Sequence, residues 1–153
     1  MARAHFVKKA RKTIRGTGIK KGDSYWWWKF RYGEKQVSKT QPKDSQLTQS
    51  EFLGSIYAAQ ESLADPGDTL DEIRSTVETV LDDLNSLRDE TDDKFNNMPE
   101  SLQQGDTGQL LEDRVQNVEQ MIDDLEAVDI TAENEDEVGN IQEELSCVSY
   151  GGD

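Results

Sequence analysis

The residues best equipped for chemistry lie in one short run, Ser24-Tyr-Trp-Trp-Trp-Lys-Phe-Arg-Tyr32, in which six of nine residues are aromatic and two are cationic. Cations neutralise phosphates and release their counterions, while aromatic rings stack on unpaired bases at about 1–3 kcal/mol per base. Upstream, Lys8, Lys9, Arg11, Lys12, Arg15, Lys20 and Lys21 add a dense set of further cations. Together with Tyr25, Trp27, Lys29 and Arg31 they form a candidate nucleic-acid-binding set, for DNA or RNA.

Nothing comparable points to catalysis. The single histidine, His5, sits in a basic run without an acidic group placed to orient it, and the single cysteine, Cys147, has no second histidine with which to form a dyad. No glycine-rich phosphate loop and no Gly-x-Ser-x-Gly elbow occurs. Asp82-Asp83, Asp92-Asp93 and Asp123-Asp124 are adjacent in sequence, but neighbouring helical residues point in different directions. Asn134-Glu-Asp-Glu137 lacks the glycine and spacing of a calcium loop. The expectation is a non-enzyme with no catalytic residues, no metal site and no cofactor.

The elements that must position the aromatic run follow from its pattern. Aromatic density favours a strand, and strand alternation places Trp26, Trp28, Phe30 and Tyr32 on one face and Tyr25, Trp27, Lys29 and Arg31 on the other. Gly33-Glu34 suits a two-residue hairpin loop, with the chain returning along Lys35 to Thr40. That register sets Phe30 opposite Val37, with Arg31, Lys29 and Trp27 beside Gln36, Ser38 and Thr40. One face is then mainly apolar and the other polar and cationic. Trp26 and Trp28 read as the core of a small domain. Trp27 reads as core or as a stacking platform, and Lys29 and Arg31 as contacts or as ordinary solvated strand residues.

Residues 3–21 hold eight Lys or Arg, with glycines at 16 and 18, and read as a short helix or strand leading into a flexible basic loop. An isolated hairpin is marginal in water, so the apolar face needs cover. Thr48-Gln-Ser-Glu51 fits a capping box, and Phe52, Leu53, Ile56, Tyr57 and Leu63 recur at helical spacing until Pro66-Gly67 ends the run. The expectation for residues 1–65 is a small α+β module, a β-hairpin or three-stranded sheet packed on a helix.

Beyond that module the chain changes character. Residues 1–50 hold 13 Lys and Arg against three acids, whereas residues 51–153 hold four against 29, so a chain of net charge −15 has a strongly basic first third. Such asymmetry points to a nucleic-acid-binding segment or an acidic interaction tail; mutual neutralisation of the two parts is the plainer reading. Thr69-Leu-Asp-Glu72 is a second capping box. It opens a 3-4 heptad seam of Leu70, Ile73, Val77, Val80, Leu84 and Leu87, continued by Thr91 and Lys94. A linker punctuated by Pro99, Gly105 and Gly108 precedes a second seam, Leu111, Val115, Val118, Ile122 and Leu125, widened by Leu110, Met121 and Val128. Val138, Ile141, Leu145 and Val148 mark a shorter amphipathic stretch.

Residues 66–153 are therefore expected to form an acidic helical region. Either 69–95 folds back on 109–128 as an antiparallel hairpin, joined by 136–148 as a third helix, or these helices form a coiled-coil homodimer. Dense unpaired carboxylates on the outer faces suit solubility, a cationic partner surface, or imitation of the phosphate spacing of DNA.

The strand, hairpin and helix carried by Tyr25–Tyr32, Gly33 and Thr48–Leu63 resemble the small β-sheet DNA-binding domains at the amino termini of tyrosine recombinases, over roughly residues 14–64. In those domains a sheet enters a groove and a helix braces it; no recombinase catalytic domain follows here. Lys20-Lys-Gly-Asp-Ser-Tyr-Trp-Trp-Trp-Lys-Phe-Arg31 and Ser45-Gln-Leu-Thr-Gln-Ser50 are also similar to short uncharacterised proteins of tailed phages, which implies a phage origin and no activity.

No apolar run exceeds four residues and no apolar stretch follows the basic amino terminus, so neither a membrane span nor a secretory signal is expected. The expected compartment is the cytoplasm, that of a bacterial host if the chain is phage-encoded. The expected function is that of a nucleic-acid-binding accessory protein whose acidic helices self-associate or recruit a partner. The alternatives are an inhibitor or adaptor occupying a basic groove of a host nucleic-acid enzyme, and a virion structural or assembly protein.

Overall fold

The structure, a computed structural model, describes residues 1–131 and 137–152. The acidic run from Asn134 to Asp136 and the start of the expected third helix lie outside the described residues. The protein has an α+β fold whose contacts divide it into two compact units, Met1–Gly54 and Ser55–Asp153.

The first unit is built on an antiparallel sheet of β1 (His5–Val7), β2 (Tyr25–Lys29) and β3 (Lys35–Ser38), in that order. The central strand is the aromatic run, as the strand preference of aromatic residues dictates. It ends at Lys29, earlier than expected, and the register differs from the expected one. Trp27 pairs with Val37 and Lys29 with Lys35, so Phe30 to Glu34 form a longer loop. Its first half is a turn in which the Gly33 N–H donates to the Phe30 carbonyl at 3.3 Å. Gly33 thus closes a turn centred on Arg31 and Tyr32 rather than occupying a central position itself. Glycine at the last position of a common turn satisfies the sequence equally well.

The basic segment between β1 and β2 is not the loose loop its composition suggests. Ala10 and Gly22–Asp23 bond back to back, with the Ala10 N–H on the Asp23 carbonyl at 2.7 Å and the Gly22 N–H on the Ala10 carbonyl at 2.9 Å. Ile14 and Ile19 form a further antiparallel bridge across a turn whose Gly16 and Gly18 have φ of 81° and 68°. Ile19 is fully buried and anchors this hairpin.

After Pro42 comes one helical turn, α1 (Asp44–Leu47), and then α2 (Glu51–Ala64). The cap of α2 is Ser50, not Thr48: the Ser50 hydroxyl accepts from the Leu53 N–H at 3.3 Å. The Thr48 hydroxyl is used one step earlier, accepting from the Ser50 N–H at 3.2 Å. Two hydroxyl residues two positions apart offer competing caps, and local turn geometry decides between them.

The second unit holds the later turns of α2, then α3 (Leu70–Asn96), α4 (Glu100–Gln103), α5 (Asp106–Glu126) and α6 (Val138–Cys147). The Thr69–Glu72 capping box is present, with the Glu72 carboxylate accepting from the Thr69 and Asp68 N–H groups at 3.2 and 3.0 Å. The buried residues of α3 are Leu70, Ile73, Val77, Val80, Leu84, Leu87 and Thr91, the seam the 3-4 spacing predicts, while Lys94, which continued that register, is exposed and pairs with Glu90 at 2.9 Å. Opposite it, α5 packs antiparallel: Phe95 near the end of α3 and Val115 in the early turns of α5 line one cavity, and Arg74 near the start of α3 donates to the Ile130 carbonyl beyond α5. Val118, Met121, Ile122 and Leu125 are buried on α5, and Val138, Ile141 and Leu145 on α6.

Two features of this unit were hidden in the sequence. The expected linker contains α4, and Gln103 donates from its amide to the Phe95 and Met98 carbonyls, both at 3.1 Å, so it caps the end of α3. The second is α2. Assigned by composition to the basic module, its later turns line a groove with α3 through Ala58, Ala59, Ser62, Thr76, Thr79 and Val80. Small residues at helical spacing let two helices approach, which hydrophobic periodicity alone does not reveal. No helix among the described residues is long and apolar enough to cross a membrane.

Candidate nucleic-acid interface

Pairing in the sheet sorts its side chains onto two faces. His5, Trp27 and Val37 align across the three strands, with Tyr25, Lys29 and Lys35 on the same face. Phe6, Trp26 and Ser38 align on the other, with Trp28 and Gln36. Trp28 is the most enclosed of the three tryptophans, 6% exposed, and its indole N–H finds no partner among the described residues. Trp26 is half-buried and packs obliquely on Phe6, with ring centres 5.0 Å apart.

On the face of Trp27, the imidazole of His5 stacks on the indole at 4.5 Å and 18° between planes. From the strand on the other side, the Lys35 ammonium stands 4.2 Å from the same ring centre. The indole therefore lies between two protein groups, one from each flanking strand, and its ring faces are engaged within the molecule. The arrangement makes Trp27 a holder of charge: the ring quadrupole attracts the ammonium and keeps it over the sheet.

Beside it stands an unusual pair. Lys29 and Lys35 are direct cross-strand partners, both exposed. Like charges directly opposite one another destabilise a sheet. Arg31, expected on the same strand face, instead lies in the turn beyond it, where its guanidinium is 5.4 Å from the centre of the Tyr32 ring. The strand ends two residues too early to carry it.

Of the other candidates, Lys8, Lys9, Arg11, Lys12, Arg15, Lys20 and Lys21 are all exposed. They follow β1, run up the basic hairpin and return on its second arm, held there by the buried Ala10 and Ile19. Tyr25 is half-buried at the start of β2. The acid Asp23 is committed locally, accepting from the Lys20 N–H at 2.9 Å and standing 3.8 Å from the Lys39 ammonium. Two members of the site escaped sequence reasoning: His5 and Lys35. The alternation of His5–Val7 against Tyr25–Trp27 carried a signal for the first, but the three-residue length of β1 is too short to read with assurance.

The site is thus an exposed cationic sheet face and basic hairpin on a small antiparallel sheet, in a protein of α+β class. No family model, curated protein or solved structure matches the chain.

Proposed function

We propose that the protein is a non-enzymatic nucleic-acid-binding accessory protein whose sheet unit contacts the phosphate backbone and whose acidic helical unit meets a second macromolecule. The observation that carries this reading is the cross-strand pair Lys29–Lys35 beside Trp27. A sheet that served only as a scaffold gains nothing from two opposed lysines, whereas an anion between them turns repulsion into attraction. The seven exposed cations of the hairpin extend the same field. Because Trp27 is engaged on both sides, backbone neutralisation outweighs base stacking in this reading, and sequence preference is weak.

The acidic unit fits a partner role through its outer faces. The α3 seam and Val118, Met121, Ile122 and Leu125 of α5 are buried within one chain, with Leu111 and Val115 only half-buried, while α5 displays seven acids against Arg114 alone. A cationic protein surface, or a basic groove that otherwise holds DNA, is the matching chemistry.

Charge reversal tests the central claim. Fluorescence anisotropy with single- and double-stranded oligonucleotides is expected to show salt-dependent binding by the wild-type chain. A loss of at least about tenfold is expected in the Lys29→Glu, Arg31→Glu double variant. Unchanged affinity of that variant for both oligonucleotides removes the sheet from the interface.

A further inference from the structure

Arg3, Lys29, Arg31 and Gln49 line one concavity of the sheet unit. Resting on the nucleic-acid reading above, we infer that this concavity is a subsite for a terminal phosphate of a nucleic-acid strand.

Three separate stretches of backbone bring these groups together, and each is pinned. The Ala2 N–H donates to the Leu47 carbonyl at 2.6 Å, and β1 begins at His5, so Arg3 is held between two anchors. Lys29 closes β2 in register with Lys35. Arg31 sits in the turn that the Phe30–Gly33 hydrogen bond closes. Gln49 follows α1 and precedes the Ser50 cap of α2. The four side chains are exposed, and among the described residues no carboxylate pairs with any of the three cations.

The charge count selects the ligand. Three cations around one hollow repel each other, and a phosphodiester brings only one negative charge to offset them. A terminal phosphate carries roughly 1.5–2 negative charges at neutral pH and three acceptor oxygens. Guanidinium forks match phosphate oxygens two at a time, lysine supplies a point charge, and an amide adds an uncharged donor. Arg3, Arg31, Lys29 and Gln49 are that donor set. Lys29 would then serve both the strand end and, with Lys35, the first phosphodiester beyond it.

The test uses the full chain and oligonucleotides of one sequence, internally labelled, phosphorylated at the 5′ end, at the 3′ end or at neither. Wild type is expected to bind one phosphorylated form about threefold to tenfold more tightly than the hydroxyl-ended form, the range of one further charge-assisted contact. Arg3→Gln is expected to abolish that preference while leaving affinity for the hydroxyl-ended strand unchanged, and Arg3→Lys to restore part of it. Equal wild-type affinity for all three strands overturns the subsite and leaves the nucleic-acid reading standing. If no strand binds, that reading falls, and calorimetry with inorganic phosphate decides the subsite. Saturable binding lost in Arg3→Gln keeps a phosphate site, and no heat in wild type overturns it.

Discussion

Lys35 holds its ammonium 4.2 Å from the centre of the Trp27 indole, on a strand whose register also sets it directly opposite Lys29. The indole gives one lysine a fixed place, and its position next to the other concentrates positive charge where a sheet ordinarily avoids it. His5, stacked on the same ring, completes a row running across all three strands. The central tryptophan thus acts on charge geometry rather than as an open platform.

Removing Lys35 separates these effects. Lys35→Ala is expected to lower affinity for every oligonucleotide by a similar factor and to reduce the slope of log affinity against log salt by about 0.7 for single strands and 0.9 for duplex. An unchanged slope would mean that Lys35 only braces Trp27 and touches no phosphate.

Trp28 is enclosed, yet its N–H has no acceptor among the described residues. Trp28→Phe therefore forfeits no hydrogen bond and is expected to cost under about 1.5 kcal/mol, whereas Trp28→Ala empties the site at about 3–5 kcal/mol. Urea unfolding of the two variants, followed by tryptophan emission, checks the contrast. Equal large losses would reveal an acceptor for the indole.

In the helical unit, Leu84 is 1% exposed on the α3 seam while Leu110, at 38%, lies on the outer side of α5. Leu84→Ala is expected to cost about 2–5 kcal/mol and Leu110→Ala no more than about 0.5 kcal/mol. Thermal unfolding by circular dichroism reads both. If Leu110→Ala proved the costlier of the two, the assignment of the seam would be reversed.

Glu72 tests the α3 cap through pH. The N–H groups of Asp68 and Thr69, with the Thr69 side chain, hold its carboxyl below its ordinary value of 4.5, and the Thr131 hydroxyl and N–H do the same for Asp129. A depressed carboxylate binds fewer protons folded than unfolded, so its contribution is complete above the ordinary value and is lost as pH falls through the lowered one. Glu72→Gln keeps the capping geometry without the charge. Its melting temperature is expected to trail wild type near pH 6 and to converge on it as pH falls through the lowered value. A constant gap across that range would show that the charge of Glu72 contributes nothing.

Much of this was legible in the chain. The α3 seam could be read residue by residue, because a 3-4 repeat of apolar side chains leaves a helix one way to bury them. The Thr69–Glu72 cap was equally plain, since its two hydrogen bonds join residues three apart. The cationic and aromatic inventory of the interface was visible too. Its arrangement was not: the sequence allowed Gly33 to lie inside a two-residue loop or at the end of a longer one, and the hairpin register turned on that choice. A shift of three pairs moved Lys35 beside Trp27 and took Arg31 off the strand.

Local rules set helix phase and caps, because those depend on neighbours within one or two turns. Tertiary structure alone decided that β1 would lay His5 on Trp27, that the basic segment would close on Ala10 and Ile19, and that Arg3 would meet Lys29 and Arg31 around one hollow. His5 with Trp27, Ala10 with Asp23 and Arg3 with Lys29 join residues more than a hairpin turn apart, where the energy of pairing is set by what the other strands already bury and no periodicity records it.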